Sequence, residues 1–160
     1  MTLTDWITLY RESAYSFPCR DGRWLRFTLN DHVAAPSAPF QQVIAERGSL
    51  TLITAWNPMS VERPLSENEN ANAQLRNQLE AAGVDFDQSY GSSLPGVRPG
   101  WREDGFVLFG LSQEQALVWG RKVKQRSLVW LDSQSVGLLF CDATGFVACG
   151  LQDLGSTAGG

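Results

Sequence analysis

Glu103, Asn57 and Asn68 are the residues in this chain whose types could do chemistry together. A carboxylate held in place by side-chain amides can act as a general base, taking a proton from a nucleophile while the amides orient the substrate. On that reading the protein is a hydrolase or transferase with Glu103 as its base. The same amides support a plainer role. Asn57 closes the strand-like run LITAWNP, residues 52 to 58, where the following proline ends a strand. Asn68 stands seven residues before Leu75 on the apolar stripe of a helix, so its amide faces inward. An inward amide without partners costs roughly 1 to 3 kcal/mol, so Asn68 must be bonded. Asn57 or the 58–64 loop is the nearest partner, and the pair either ties that loop down or floors a polar pocket.

Other reactive constellations are missing from the sequence. The one histidine, His32, falls in the turn-like NDHVAAP, which leaves no imidazole pair for a triad or a metal cluster. Cys19, Cys141 and Cys149 are too few and too irregularly spaced for a disulfide scaffold or a zinc knuckle, and the last two lie in apolar segments that suit inert thiols. No G-x-S-x-G, G-x-x-x-x-G-K or G-x-G-x-x-G occurs, so no cofactor and no metal are expected. Asp85 and Asp87, pointing the same way on a strand, and the adjacent Glu103 and Asp104 keep carboxylate chemistry open.

The whole chain narrows the classes further. Its 160 residues suit one domain, and 43% hydrophobic with 19% charged residues suits a globular one. A net charge of −4 and a pI near 4.9 offer no positive field for a phosphate backbone, so nucleic acid is a poor partner. The basic run Arg121, Lys122, Lys124 and Arg126 reads as a solvated helix end. MTLTDWITLYRESAYS lacks a basic lead and an apolar core, and no long apolar run follows, so a cytoplasmic location away from membranes is expected.

These residues need elements to place them. A short helix is expected over residues 3–12, capped by Thr4 or Asp5, with Trp6, Leu9 and Tyr10 inward. AYSFP and RWLRFTL flank CRDG as a hairpin, with Leu25, Phe27 and Leu29 on one face. PFQQVIAERG reads as a helix ended by Gly48, and SLTLITAW as a strand covered on both faces. Ser66 and Glu69 fit a capping box for a helix carrying Leu75, Leu79 and Ala82 up to Gly83; Ser112 and Gln115 fit a second box. VDFDQSY reads as a strand near a sheet edge, GSSLPGVRPGW as an irregular loop, and GFVLFG, SLVWL, VGLLFC and GFVAC as strands.

The order implies an α/β (α+β) sandwich: a mixed β-sheet with two or three packed helices and an N-terminal β-hairpin, one domain over residues 1–154, and a flexible tail at 155–160. Two strands running into Ser-capped helices would bring Asn57, Ser60, Ser66, Gly110 and Ser112 to one rim, where open α/β sheets bind ligands and helix N-termini favour anions.

The segment TAWNP, Ser60, the helix with Leu75, Leu79 and Gly83, the acid Glu103, VLFG, SQEQAL, Gly120 and Q-x-x-LVW (Gln125 to Trp130) together resemble the bacterial family known as domain of unknown function 3293. The resemblance runs over roughly residues 50 to 140. It implies a small cytoplasmic bacterial protein and brings no activity. It marks Thr54, Trp56, Asn57, Ser60, Asn68, Glu103 and Gln125 as the polar positions to test. The chain departs from the pattern at Gly105, where a Ser is expected after the acid.

The expected function is therefore a non-catalytic binding or regulatory domain for a small polar or anionic ligand, such as a nucleotide or a peptide segment, at the Asn57/Ser112 edge. The Glu103 enzyme is the alternative. A third reading, an acidic protein-interaction or inhibitor or immunity-type partner, rests on the −4 charge and on an exposed Trp101.

Overall fold

A computed structural model of the chain describes residues 2–157. Alternating apolar residues form strands β1 (Ser13–Pro18), β2 (Trp24–Asn30), β3 (Leu50–Ile53), β4 (Asp85–Ser93), β5 (Arg102–Phe109), β6 (Ser127–Leu131), β7 (Val136–Phe140) and β8 (Phe146–Thr157). They close into a barrel in the order β1-β2-β8-β7-β6-β3-β5-β4, with β4 pairing back onto β1. Four helices join them: α1 (Leu3–Arg11), α2 (Ala38–Arg47), α3 (Leu65–Ala81) and α4 (Gln113–Lys122).

The expected sandwich over a mixed sheet is corrected by this topology. Each pair of neighbouring strands is antiparallel and the sheet closes on itself. The β3-α3-β4 and β5-α4-β6 connections do join strands of like direction, but each pair has an antiparallel strand between its members: β5 in the first case, β3 in the second. The cause is the β4–β5 hairpin, which extends to Ser92↔Arg102 through residues expected to be an irregular loop. VDFDQSY accordingly lies on no sheet edge; β4 has β5 on one side and β1 on the other, so both its rows of backbone donors and acceptors find partners. The N-terminal hairpin forms as expected, with Tyr15 opposite Phe27 and Phe17 opposite Leu25.

Two cores follow from the period-2 alternation of the strands. Inside the barrel, Phe17, Leu25, Phe27, Leu50, Val107, Phe109, Val129 and Leu131 pack together. Outside it, Ile53, Phe106, Leu108, Leu128 and Trp130 bury themselves under Leu75 and Leu79 of α3 and Ala116 of α4. The doubly apolar β3 is thus covered on both faces, by the interior and by the helices. Each large side chain so buried contributes roughly 1.5 to 3 kcal/mol.

Helix α2 plugs one end of the barrel with Phe40, Val43 and Ile44, and Gly48 ends it at φ +89°. A Cβ at Gly48 would also press on the backbone of Gly110 at 2.9 Å. Arg47, with its side chain 6% exposed, lies 3.5 Å over the Phe109 ring and grips Asp85 with two nitrogens, at 2.7 and 3.2 Å. At the opposite end α1 lays Trp6, Ile7 and Tyr10 against the interior cluster. Its cap is Thr2, in a box with Asp5, rather than Thr4 or Asp5 itself.

Of the two Ser capping boxes expected, that of Ser112 and Gln115 is present. That of Ser66 is not: α3 begins at Leu65 after Pro64, so Ser66 already lies in the first turn. Gly155, Ser156 and Thr157, placed in a tail by sequence, belong to β8, with Ser156 opposite Leu25 and Thr157 opposite Trp24. Residues 158–160 of that expected tail lie outside the described residues.

Candidate functional site

The barrel is filled at the α2 end and hollow at the α1 end, because its inward residues change character along the strands. On β5 the inward side chains pass from Phe109 and Val107 to Gly105 and Glu103. The residues opposite them on β4 are Ser89 and Gly91, and Tyr15 of β1 faces Gly91 in turn. On β6 the inward Leu131 and Val129 give way to Ser127. These small residues leave a cavity of about 310 Å³, walled by Trp6, Tyr10, Tyr15, Trp56, Tyr90 and Trp101.

Glu103 sits in that wall, half buried. Burial pushes its carboxyl pKa up, and the hydrogen bond from Asn57 pulls it partly back. Asn57 Nδ2 donates to Glu103 Oε1 at 3.1 Å, while its Oδ1 accepts from the Arg63 N–H and from Asn68 Nδ2, both at 2.9 Å. Asn68 Oδ1 takes the Asn57 N–H at 2.9 Å. The inward amide expected at Asn68 is therefore present and doubly paired with Asn57, and Asn68 is buried behind the cavity wall rather than in it.

The corner carrying Asn57 is strained and firmly held. Asn57, Met59, Ser60 and Lys124 have φ of 47°, 54°, 62° and 57°, a left-handed backbone that costs roughly 1 to 2 kcal/mol per non-glycine residue. Met59 N–H donates to the Lys124 carbonyl at 2.7 Å, Ser60 N–H to the Asn57 carbonyl at 2.9 Å, and Gln125 Nε2 to the Trp56 carbonyl at 3.2 Å. Thr54 Oγ1 donates to the Asp104 carbonyl at 2.6 Å and accepts the Trp56 N–H at 3.0 Å.

Thr54, Trp56, Asn57, Ser60, Glu103 and Gln125 thus gather around one cavity, with Asn68 behind it. Ser112 does not join them. β3 and β5 are antiparallel, Ile53 facing Phe106 and Leu50 facing Phe109, so the chain leaves β5 at the end where it enters β3. Ser112 lies beyond that far end, where Ser49 Oγ donates to the Leu111 carbonyl. The shared Asn57/Ser112 edge is corrected accordingly: the α3 and α4 N-termini open at opposite ends of the barrel.

Sequence reasoning missed Asn72, whose Oδ1 accepts the Ala55 N–H at 2.9 Å and whose Nδ2 donates to the Asp104 carbonyl at 2.7 Å. Its signal was available: position 72 shares the stripe of Asn68, Leu75 and Leu79. Ser127 was also missed. Its buried Oγ has no well-formed hydrogen bond, although it is near enough to the Tyr10 hydroxyl to oppose the rise that burial gives that group's pKa. Gly105, the departure from the expected Ser, lies where β5 presses on β3; a Cβ there would collide with the Ile53 carbonyl and meet the Thr54 side chain at 3.0 Å.

The remaining reactive residues stand apart. His32 is exposed beside Asp31. Burial raises the pKa of all three thiols, Cys149 to about 11, so none is activated. The basic run is partly consumed by structure: Arg121 Nε donates to the Cys141 carbonyl at 3.1 Å and Arg126 lies 4.0 Å over Trp6. Among the described residues, no group of three or more His, Cys, Asp or Glu could hold a metal ion, and no helix is long and apolar enough to cross a membrane.

Comparison with curated proteins and with solved structures found no match. The family model that does match covers residues 53–128. That segment holds the strained corner, α3, the β4–β5 hairpin with Glu103, and α4, whereas Trp6, Tyr10 and Tyr15 come from the chain before it. Residues 53–128 match the model of the family described as protein of unknown function (DUF3293).

Proposed function

We propose that the hollow end of the barrel is a binding site for a small polar organic ligand, and that the protein is a non-catalytic binding module. The observation that carries this reading is the cavity of about 310 Å³, a size suited to a small ligand, whose aromatic walls offer apolar faces. Glu103 and Gln125 each commit one polar atom to the fold, to Asn57 and to the Trp56 carbonyl, and keep an oxygen for a ligand. Among the described residues no Lys or Arg lines the cavity, so the anionic ligand expected from helix N-termini loses its support while the polar one keeps it. Trp101, on which a partner-protein reading rested, takes part in this wall.

The test is a fragment screen by ligand-observed NMR against the wild type and Gly91→Val. A Cβ at Gly91 meets nothing closer than 3.9 Å, so valine fits the strand and fills the cavity. Fragments that bind the wild type and lose binding in folded Gly91→Val support the site. Fragments that bind both equally remove it.

A catalytic reading has one specific support: Glu103, Asn57 and Asn68 are linked in series at 3.1 and 2.9 Å, the arrangement an oriented general base needs. It expects turnover of a bound fragment to vanish in Glu103→Gln while binding remains.

A further inference from the structure

We propose that the ligand of this cavity is an organic ammonium cation, recognised by Glu103 and by the faces of the surrounding aromatic rings. This deepens the binding reading and rests on it.

The first support is charge. Glu103 is the one carboxylate among the cavity's described lining residues, no Lys or Arg accompanies it, and among the described residues it makes no salt bridge. Its side-chain partner is the neutral Asn57, which engages one oxygen. A half-buried carboxylate without a counter-charge sits at a cost that an incoming cation relieves.

The second support is the wall. Two of its rings already hold cations on their faces: Arg126 stands 4.0 Å from the Trp6 centroid and Arg102 3.9 Å from that of Tyr90. No such contact occupies Tyr10, Tyr15, Trp56 or Trp101 among the described residues. Aromatic faces beside a carboxylate attract an ammonium group more than a neutral isostere. The third support is hydrogen bonding. The free oxygens of Glu103 and Gln125 are acceptors, which matches the several N–H donors of a primary ammonium and its lack of acceptors.

Benzylamine and benzyl alcohol, of nearly equal shape, separate charge from fit. Calorimetric titration of the wild type at neutral pH should show the amine binding about tenfold or more tightly than the alcohol, and Glu103→Gln, checked by circular dichroism to be folded at that pH, should erase the difference. The wild-type comparison needs no variant. Equal affinities in the wild type, or a preference that survives in folded Glu103→Gln, overturn the cation assignment and leave the cavity standing. Absence of amine binding up to about 10 mM also overturns it. The cavity reading is judged separately, by the Gly91→Val screen.

Discussion

Asn57 and Glu103, 46 residues apart in the chain, are joined by a 3.1 Å hydrogen bond that fixes a carboxylate at the mouth of a hollow barrel end. The bond gives the strained corner a purpose beyond ending β3. The left-handed backbone at Asn57 turns one amide so that it serves Glu103, Arg63 and Asn68 at once.

Replacing Asn57 should therefore cost more than one bond. Asn57→Gly keeps the left-handed backbone and loses three side-chain hydrogen bonds, for about 2 to 4 kcal/mol. Asn57→Ala should cost about 1 kcal/mol more, because alanine resists that conformation. Asn57→Asp keeps both acceptor roles but sets a second carboxylate against Glu103, so its loss of stability should be large at neutral pH and shrink on acidification. Urea unfolding of the three variants checks the order.

Glu103→Gln should change the pH dependence of stability in a defined direction. The folded pKa lies above the ordinary 4.5, so the folded protein holds this proton more tightly than the unfolded chain. Stability from this group is highest below 4.5 and falls as pH rises from there through the raised folded value. Glutamine removes that slope. The melting temperature of the variant relative to wild type should be higher at about pH 8 than at about pH 4, read by circular dichroism. A difference independent of pH would contradict the burial assigned to Glu103.

The α2 plug depends on Arg47. Its guanidinium is covered, grips Asp85 and lies on Phe109, so Arg47→Ala should lose about 2 to 4 kcal/mol through a lost ion pair and lost packing. Arg47→Lys should recover less than half, because an ammonium cannot bond with two nitrogens in one plane. Chemical denaturation measures both. Amide exchange should show the added opening at the α2 end.

Ser112→Ala should cost about 1 kcal/mol by removing the α4 capping box. Ligand binding at the hollow end should be unchanged, since Ser112 lies at the opposite end of the barrel. Parallel melting and fragment titration check the pair of outcomes. Weakened binding in a folded Ser112→Ala would restore the single-rim arrangement that the strand directions exclude.

Local sequence determined much of this molecule. Ser112 and Gln115 wrote their capping box within four residues, AYSFP and RWLRFTL wrote a hairpin across a short turn, and the spacing of Asn68 from Leu75 placed an amide on the buried side of α3. Each depends on neighbours within one or two turns of chain, where hydrogen-bond geometry and side-chain periodicity are fixed by residue type. The grouping of Thr54, Trp56, Asn57, Glu103 and Gln125 was legible from a family pattern, and the cavity they line was not. Tertiary structure decided which strands are neighbours. Placing β5 between β3 and β4 and pairing β4 with β1 turned an apparent sheet edge into a closed wall and sent Ser112 to the far end. It also set Glu103, Gly105 and Gly91 on the inner face, where missing side-chain volume becomes a cavity. Strand pairing joins residues far apart in the chain, and an alternating run fits the face of a barrel as well as that of an open sheet, so its choice rests on global packing that no local pattern encodes.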